Sequence, residues 1–139
     1  MIGVDYLQLN IAFMENIDRI EFAEAFKKRT KKFVVDNIKF FRTLPKTEEA
    51  KIIGRQLLRS SSSVGANYRA ACRARSKAEF HSKLSTVVEE SDESVFWMEI
   101  LIEAEIVDQK SITHLLNEGN EILKIVSASR KTVSSNKNQ

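Results

Sequence analysis

The stretch LLRSSSSVGANY, Leu57 to Tyr68, decides how this chain is read. Four consecutive serines and a glycine could form a linker, which would divide the sequence into two parts. The apolar spacing answers otherwise. Ile53, Leu57, Val64, Tyr68 and Ala71 recur at helical intervals, and Ser60 or Ser61 fills the turn between Leu57 and Val64. The period runs through the serines, where a linker would break it. The stretch therefore reads as the middle of a helix. Beside its apolar stripe, Gly54, Ser61, Gly65 and Cys72 fall on one line of small residues. Each glycine costs roughly 1 kcal/mol of helix propensity relative to alanine, so two of them in one helix predict close packing of another backbone. A serine hydroxyl inside a helix can bond the carbonyl one turn back and need not be left without a partner.

Working outward, Thr47 is a good N-cap for this second helix, and Glu48 and Glu49 favour the positive end of its dipole. Upstream, Pro45 in LPKT (Leu44–Thr47) disfavours helical geometry at Leu44 and ends a first helix. That helix is expected over about Arg19–Thr43, capped by Asp18 with Glu21 in capping-box spacing. Met1–Asn16 has a mixed pattern without a clear cap, so residues 1–17 read as an irregular extension. Downstream, Ser76 and Glu79 form a capping box for a third helix expected to reach about Glu105, with Phe80, Leu84, Val87, Ser91, Val95, Met98 and Leu101 as its stripe. A fourth helix follows Asp108, and the polar SSNKNQ, residues 134–139, reads as a frayed tail. Four helices with short connections predict an all-α, up-down-up-down antiparallel four-helix bundle over residues 18–133.

The totals agree. The chain has 139 residues, of which 42% are apolar and 29% charged, with one proline and four glycines. That is one domain with a real core and few breakers. No apolar run approaches the roughly 20 residues needed to span a bilayer, and no membrane role is expected. The N-terminus lacks a basic segment followed by an apolar one, so no signal peptide is expected. The lone Cys72 cannot close an intramolecular disulfide, which fits a reducing cytoplasm.

Catalytic signatures are missing. SSSVG (Ser61–Gly65) lacks the leading glycine and the strand of a nucleophile elbow. Neither His81 nor His114 has a glutamate three residues before it, so the di-metal bundle motif is absent, and Cys72 has no second thiolate nearby. No metal, cofactor or catalytic residue is expected. A hydrolase using Glu89, Glu90 or Glu93 would need those carboxylates in a cleft away from Lys and Arg.

The charges are more informative. KKRTKK (Lys27–Lys32) places Lys27, Lys28, Lys31 and Lys32 with Arg29 on the first helix. EESDE (Glu89–Glu93) is expected at a similar height on the third, with Arg55 and Arg59 near that level, so mutual neutralisation, within a subunit or between subunits, is one reading. Exposed pairs of this kind are worth only about 0.2–1 kcal/mol each. Arg69, Arg73, Arg75 and Lys77 surround the second turn, with His81 and Lys83 one or two turns on, where local anions are fewer. Arginine forks suit phosphate oxygens, which makes this a candidate nucleic-acid patch with the first-helix lysines as a second strip. The other reading is a solvated helix end, where cations belong on dipole grounds. Phe33 and Phe40 on the first helix, with Phe96 and Trp97 on the third, exceed what one small core needs and are candidate interface residues.

The segment Lys51–Leu101 resembles a family of small bacterial four-helix-bundle proteins associated with intervening sequences in 23S ribosomal RNA genes. Gly54 and Gln56, the serine run with Val64, Asn67, Arg75-Ser76, Glu79-Phe80, Leu84 and the Glu89/Glu90/Glu93 set before Trp97 carry the resemblance. FFRTLPKT (Phe40–Thr47) fits it too, and it extends over roughly Phe22–Ser127. Many members have Glu-Gly after the asparagine segment, where this chain has YRAACRARS. The resemblance implies a homo-oligomer, with a pentameric ring as the expected form. A more distant likeness, to the accessory protein of diversity-generating retroelements, implies an RNA- and protein-binding scaffold. Two functions follow as expectations: a non-enzymatic oligomeric bundle binding structured RNA, or a protein–protein adaptor whose charges pair within the assembly.

Overall fold

The computed structural model describes residues 2–136 of the chain. It contains α1 (Ile2–Phe41), α2 (Glu48–Cys72), α3 (Lys77–Glu103) and α4 (Gln109–Asn136), with no strand among the described residues. The serine run is helical throughout. The caps form locally. Thr47 accepts from the Ala50 amide at 3.4 Å and Ser76 from the Glu79 amide at 3.1 Å. The Glu79 carboxylate reaches back to the Arg75 amide at 3.0 Å, one residue short of the capping-box partner. Between α3 and α4, Glu105 adopts φ 56°, and the Ile106 amide donates to the Leu101 carbonyl at 3.0 Å. This is the left-handed helix end usually served by glycine.

Two boundaries differ from the sequence reading. The expected irregular extension is helix: α1 begins at Ile2 and passes through Asp18 without a break. Gly3 is the last residue before Phe41 with a strong helix penalty, so nothing in between stops the helix, and Asp18 and Glu21 are exposed mid-helix residues instead of a cap. At the other end, residues 134–136 belong to α4; residues 137–139 of the expected tail lie outside the described residues.

α2 packs on α1 and α3, and α4 on α3 and α1; the backbones of α1 and α3 do not meet. Phe26, Phe33, Leu57, Val64, Leu84, Met98, Ile112 and Ile122 are buried in one core. Phe33 and Phe40 therefore fill this core and present no interface, a correction to their expected role. Both lie on the same α1 line as buried Thr30 and Asn37, at helical spacing. Phe96, by contrast, is 48% exposed and meets the half-buried Trp97 edge-on at 4.9 Å.

The small residues of α2 set the α1 contact. A Cβ at Gly65 would stand 2.6 Å from Val34 Cγ2 and 3.3 Å from the Thr30 carbonyl oxygen. At Gly54 it would stand 2.6 Å from Leu44 Cδ1 and 3.1 Å from the Phe41 ring. Ser61 is fully buried, its hydroxyl 3.3 Å from the Leu58 carbonyl. Cys72 departs from the expected line of close packing, being exposed where α2 ends. Ser60 donates to the Leu57 carbonyl at 3.2 Å, and its oxygen lies 3.0 Å from the Ser94 hydroxyl of α3. Buried Ser91 has no partner for its hydroxyl.

Gly65→Ala should lower stability by about 1–3 kcal/mol, because the stiff Val34 and a backbone oxygen cannot both yield. Ser91→Ala should raise it by about 1 kcal/mol by removing an unsatisfied buried hydroxyl. Urea unfolding measures both; a stabilised Gly65→Ala variant would refute the close-contact argument.

Candidate nucleic-acid interface

Four of the predicted cations come together. Lys28 and Lys31 of α1, Arg69 of α2 and Arg73, which caps the end of α2, flank a trench of about 580 Å³ between the two helices. Its floor is made of small or short residues, Ser62, Gly65, Ala66 and Val34. The sequence builds this directly. α1 approaches at Gly65, and the small α2 residues beside the contact leave a furrow. The long cationic side chains one turn away become its walls. Arg69 and Arg73 also border a second hollow of about 460 Å³ toward α3, with Arg75, Glu79 and Lys83. The two hollows share Ala66, Arg69 and Arg73, so the basic strip continues over α2.

Among the described residues, Lys28, Lys31, Arg69 and Arg73 form no ion pair. The other predicted cations are placed differently. Lys27 lines the trench but also pairs with Glu24 at 2.7 Å. Lys32 turns to Asp36 at 2.5 Å and does not line the trench. Lys77 lines an apolar hollow at the end of the bundle, and Arg75 borders both that hollow and the strip. Lys83, expected one or two turns beyond this cluster, completes the strip.

Within one chain, the first-helix lysines form no ion pair with the α3 carboxylates. The backbones of α1 and α3 do not meet, because α2 and α4 lie between them. Arg29 instead clamps Glu118 of α4 with the Nε–Nη2 edge of its guanidinium, at 2.5–3.1 Å. That contact raises the Arg29 pKa further. The α3 carboxylates take their partner from α2: Arg59 bonds Glu93, and Glu90 at 3.4 Å. Burial raises the Glu90 pKa, and Arg59 opposes the rise. The Arg59 hydrogen bond lowers that of Glu93, which also accepts from Trp97 Nε1 at 3.1 Å.

No aromatic ring lines the trench. Tyr68 is buried against Phe26, edge-on at 4.7 Å, and is not free to stack on a base. His81 Nε2 lies 2.8 Å from the Ser134 hydroxyl, and His114 is exposed on α4. Among the described residues no group of three His, Cys, Asp or Glu could hold a metal ion, and no helix is long and apolar enough to cross a membrane.

Residues 24–128 match the family described as 23S rRNA-intervening sequence protein. A crystal structure of a protein of unknown function from the S23 ribosomal protein family of Bacteroides thetaiotaomicron is similar over 78% of this chain and 97% of its own, with 29% identity and a TM-score of 0.73. No curated protein matches the chain in sequence.

The Arg59 cluster makes a pH-dependent prediction. In Arg59→Gln the Glu93 pKa loses its main depressing contact and the Glu90 pKa rises further. Both changes disfavour the folded state where carboxylates are ionised. The depressed Glu93 supplies stability above the ordinary carboxylate range, lost as pH falls through its folded value. The variant should lose about 0.2–1 kcal/mol at neutral pH and almost nothing in acid, as read by urea midpoints. An equal loss at both pH values would mean that Arg59 acts by packing alone.

Proposed function

The chain belongs to the 23S rRNA-intervening sequence protein family, and on that premise we propose that it is a non-catalytic bundle that binds structured RNA along the α1–α2 trench. One observation carries the reading: Lys28, Lys31, Arg69 and Arg73 line one furrow between α1 and the end of α2, and none of them forms a direct ion pair. Phosphates would supply the missing charge. Arg69 and Arg73 would take phosphate oxygens with their planar forks, and Lys28 and Lys31 would act as point charges on the facing wall. The lack of a stacking ring favours double-stranded RNA, recognised by backbone and groove shape, over splayed single strands.

Binding is favoured over chemistry by the surroundings of the α3 carboxylates. Glu90 and Glu93 close on Arg59, which suits an ion pair and not a general acid or base. An up-down-up-down arrangement is supported by the contacts, since Phe41 meets Gly54 early in α2 while Phe26 meets Tyr68 near its end. The exposed Phe96 beside Trp97 supports assembly into a homo-oligomer, for which the family resemblance suggests a pentamer in the cytoplasm. A protein adaptor role is the second reading, because an acidic peptide would satisfy the same four cations.

Titration of the protein with an RNA duplex and a matched DNA duplex over a range of salt tests this. The log of the affinity should fall linearly with log salt, and more steeply for contacts with more phosphates. Lys31→Glu with Arg73→Glu should make that slope shallower by about 2 while the thermal transition stays put. An unchanged slope removes the trench from the reading. Absence of RNA binding, with an acidic peptide bound through the same residues, selects the adaptor.

A further inference from the structure

The hollow between α2 and α3 holds something that the trench lining lacks. Arg69, Arg73, Arg75 and Lys83 border its volume of about 460 Å³, and with them stands one carboxylate, Glu79, in the first turn of α3. Among the described residues Glu79 forms no ion pair, although four cations share its hollow. Its Oε2 accepts from the Arg75 amide at 3.0 Å, which ties the carboxylate to the turn. Its Oε1 has no partner.

A carboxylate is out of place in a hollow that only binds phosphate. Phosphate oxygens accept hydrogen bonds, so arginine and lysine donors suit them, whereas an ionised carboxylate can only accept and repels them. The sugar–phosphate backbone of DNA offers Glu79 nothing to bond. That of RNA offers one donor per ribose, the 2′-hydroxyl. Several donors around a single acceptor thus match phosphates that flank a ribose. Against a deoxyribose the same carboxylate faces phosphates with no compensating bond, which is discrimination by a repulsive element.

The shape of this face agrees. Ser62, Ala66 and Ala70 lie along α2 where the two hollows meet, so the ridge between them is low. Lys28 and Lys31 stand on its α1 side, Arg75 and Lys83 on the other. A broad face with cations on both flanks suits the wide, shallow minor groove of an A-form duplex, where 2′-hydroxyls are displayed. It cannot enter the deep, narrow major groove.

We propose that Glu79 is the residue by which this strip distinguishes RNA from DNA, its Oε1 accepting a hydrogen bond from a ribose 2′-hydroxyl while Arg69, Arg73 and Lys83 hold the neighbouring phosphates. The assignment rests on the RNA reading, and deepens it by giving one residue the choice between the two nucleic acids.

The full chain is titrated at one salt concentration with an RNA duplex and with the same duplex carrying fluorine in place of every 2′-hydroxyl. That change keeps the A-form geometry and the phosphate charge and removes the donor. Wild-type protein should bind the RNA about tenfold more tightly, the worth of one hydrogen bond to a charged group. Glu79→Ala keeps the Ser76 cap of α3. It should bind both duplexes equally, and the fluorinated one more tightly than wild type does, because a repelling charge has gone. Arg73→Gln should weaken both by the same factor. Equal affinity of the wild type for the two duplexes overturns the role of Glu79 and leaves the RNA reading standing. So does a Glu79→Ala variant that shifts both affinities by one factor, since Glu79 would then act only as a charge or a helix cap. Failure to bind either duplex overturns the RNA reading and this assignment together.

Discussion

The contact on which the rest of this structure depends is the missing side chain at Gly65. With no Cβ there, Val34 and the Thr30 carbonyl of α1 press directly on the α2 backbone. Gly54 repeats the arrangement about three turns earlier, against Leu44 and Phe41. Two close points define a line, so α1 is held along α2 and the Phe26, Phe33 and Phe40 edge is set against the core. The helix-propensity cost of roughly 2 kcal/mol for the pair is offset by the burial it allows, since one phenylalanine alone returns about 1.5–3 kcal/mol. The trench is the outer side of this contact. Its floor is narrow because Ser62, Gly65 and Ala66 are small, and its walls are basic because each helix places long cations one turn from the seam. Packing and candidate function are two faces of one seam.

Much of this could be read in the sequence. The serine run is helical because a period of 3.6 ignores residue polarity when hydroxyls can bond their own carbonyls, as Ser60 and Ser61 do. Caps at Thr47 and Ser76 were visible because they need only residues three apart. What was not legible depends on angle around the bundle, not on height along it. Lys27–Lys32 and Glu89–Glu93 were matched by their counts along the chain, but they belong to helices whose backbones do not meet. Lys28 and Lys31 meet Arg69 and Arg73 only because Gly65 brings that side of α2 against that side of α1. The small-residue line held the clue, yet pairing it with the basic run required knowing which faces meet. Phe33 and Phe40 were misplaced for the same reason: they looked like a surplus over one small core when they are part of it. The start of α1 was missed because a helix without a cap, and with its apolar residues on several sides, shows no clean period.

Net charge understates what the surface offers. A total of +3 is mild for 139 residues, and taken alone it argues little for a polyanion. The anions, however, are spoken for elsewhere. Glu118 holds Arg29, Asp36 holds Lys32, and Glu90 and Glu93 hold Arg59. Those pairs cancel at short range, and beyond a Debye length of about 8–10 Å they contribute little field. Lys28, Lys31, Arg69 and Arg73 line one furrow and form no direct ion pair, so their fields add more than they cancel. Backbone charge in an RNA helix is regularly spaced and carries its own counterions; a furrow with cations on both walls displaces several at once, which is where polyelectrolyte affinity arises. Placing α1 cations opposite α2 cations costs folding energy through like-charge repulsion, which the close contact at Gly65 has to overcome. A seam that brings like charges together and leaves them without partners is costly to maintain for stability alone, and it is the arrangement expected of a surface that waits for an anionic ligand.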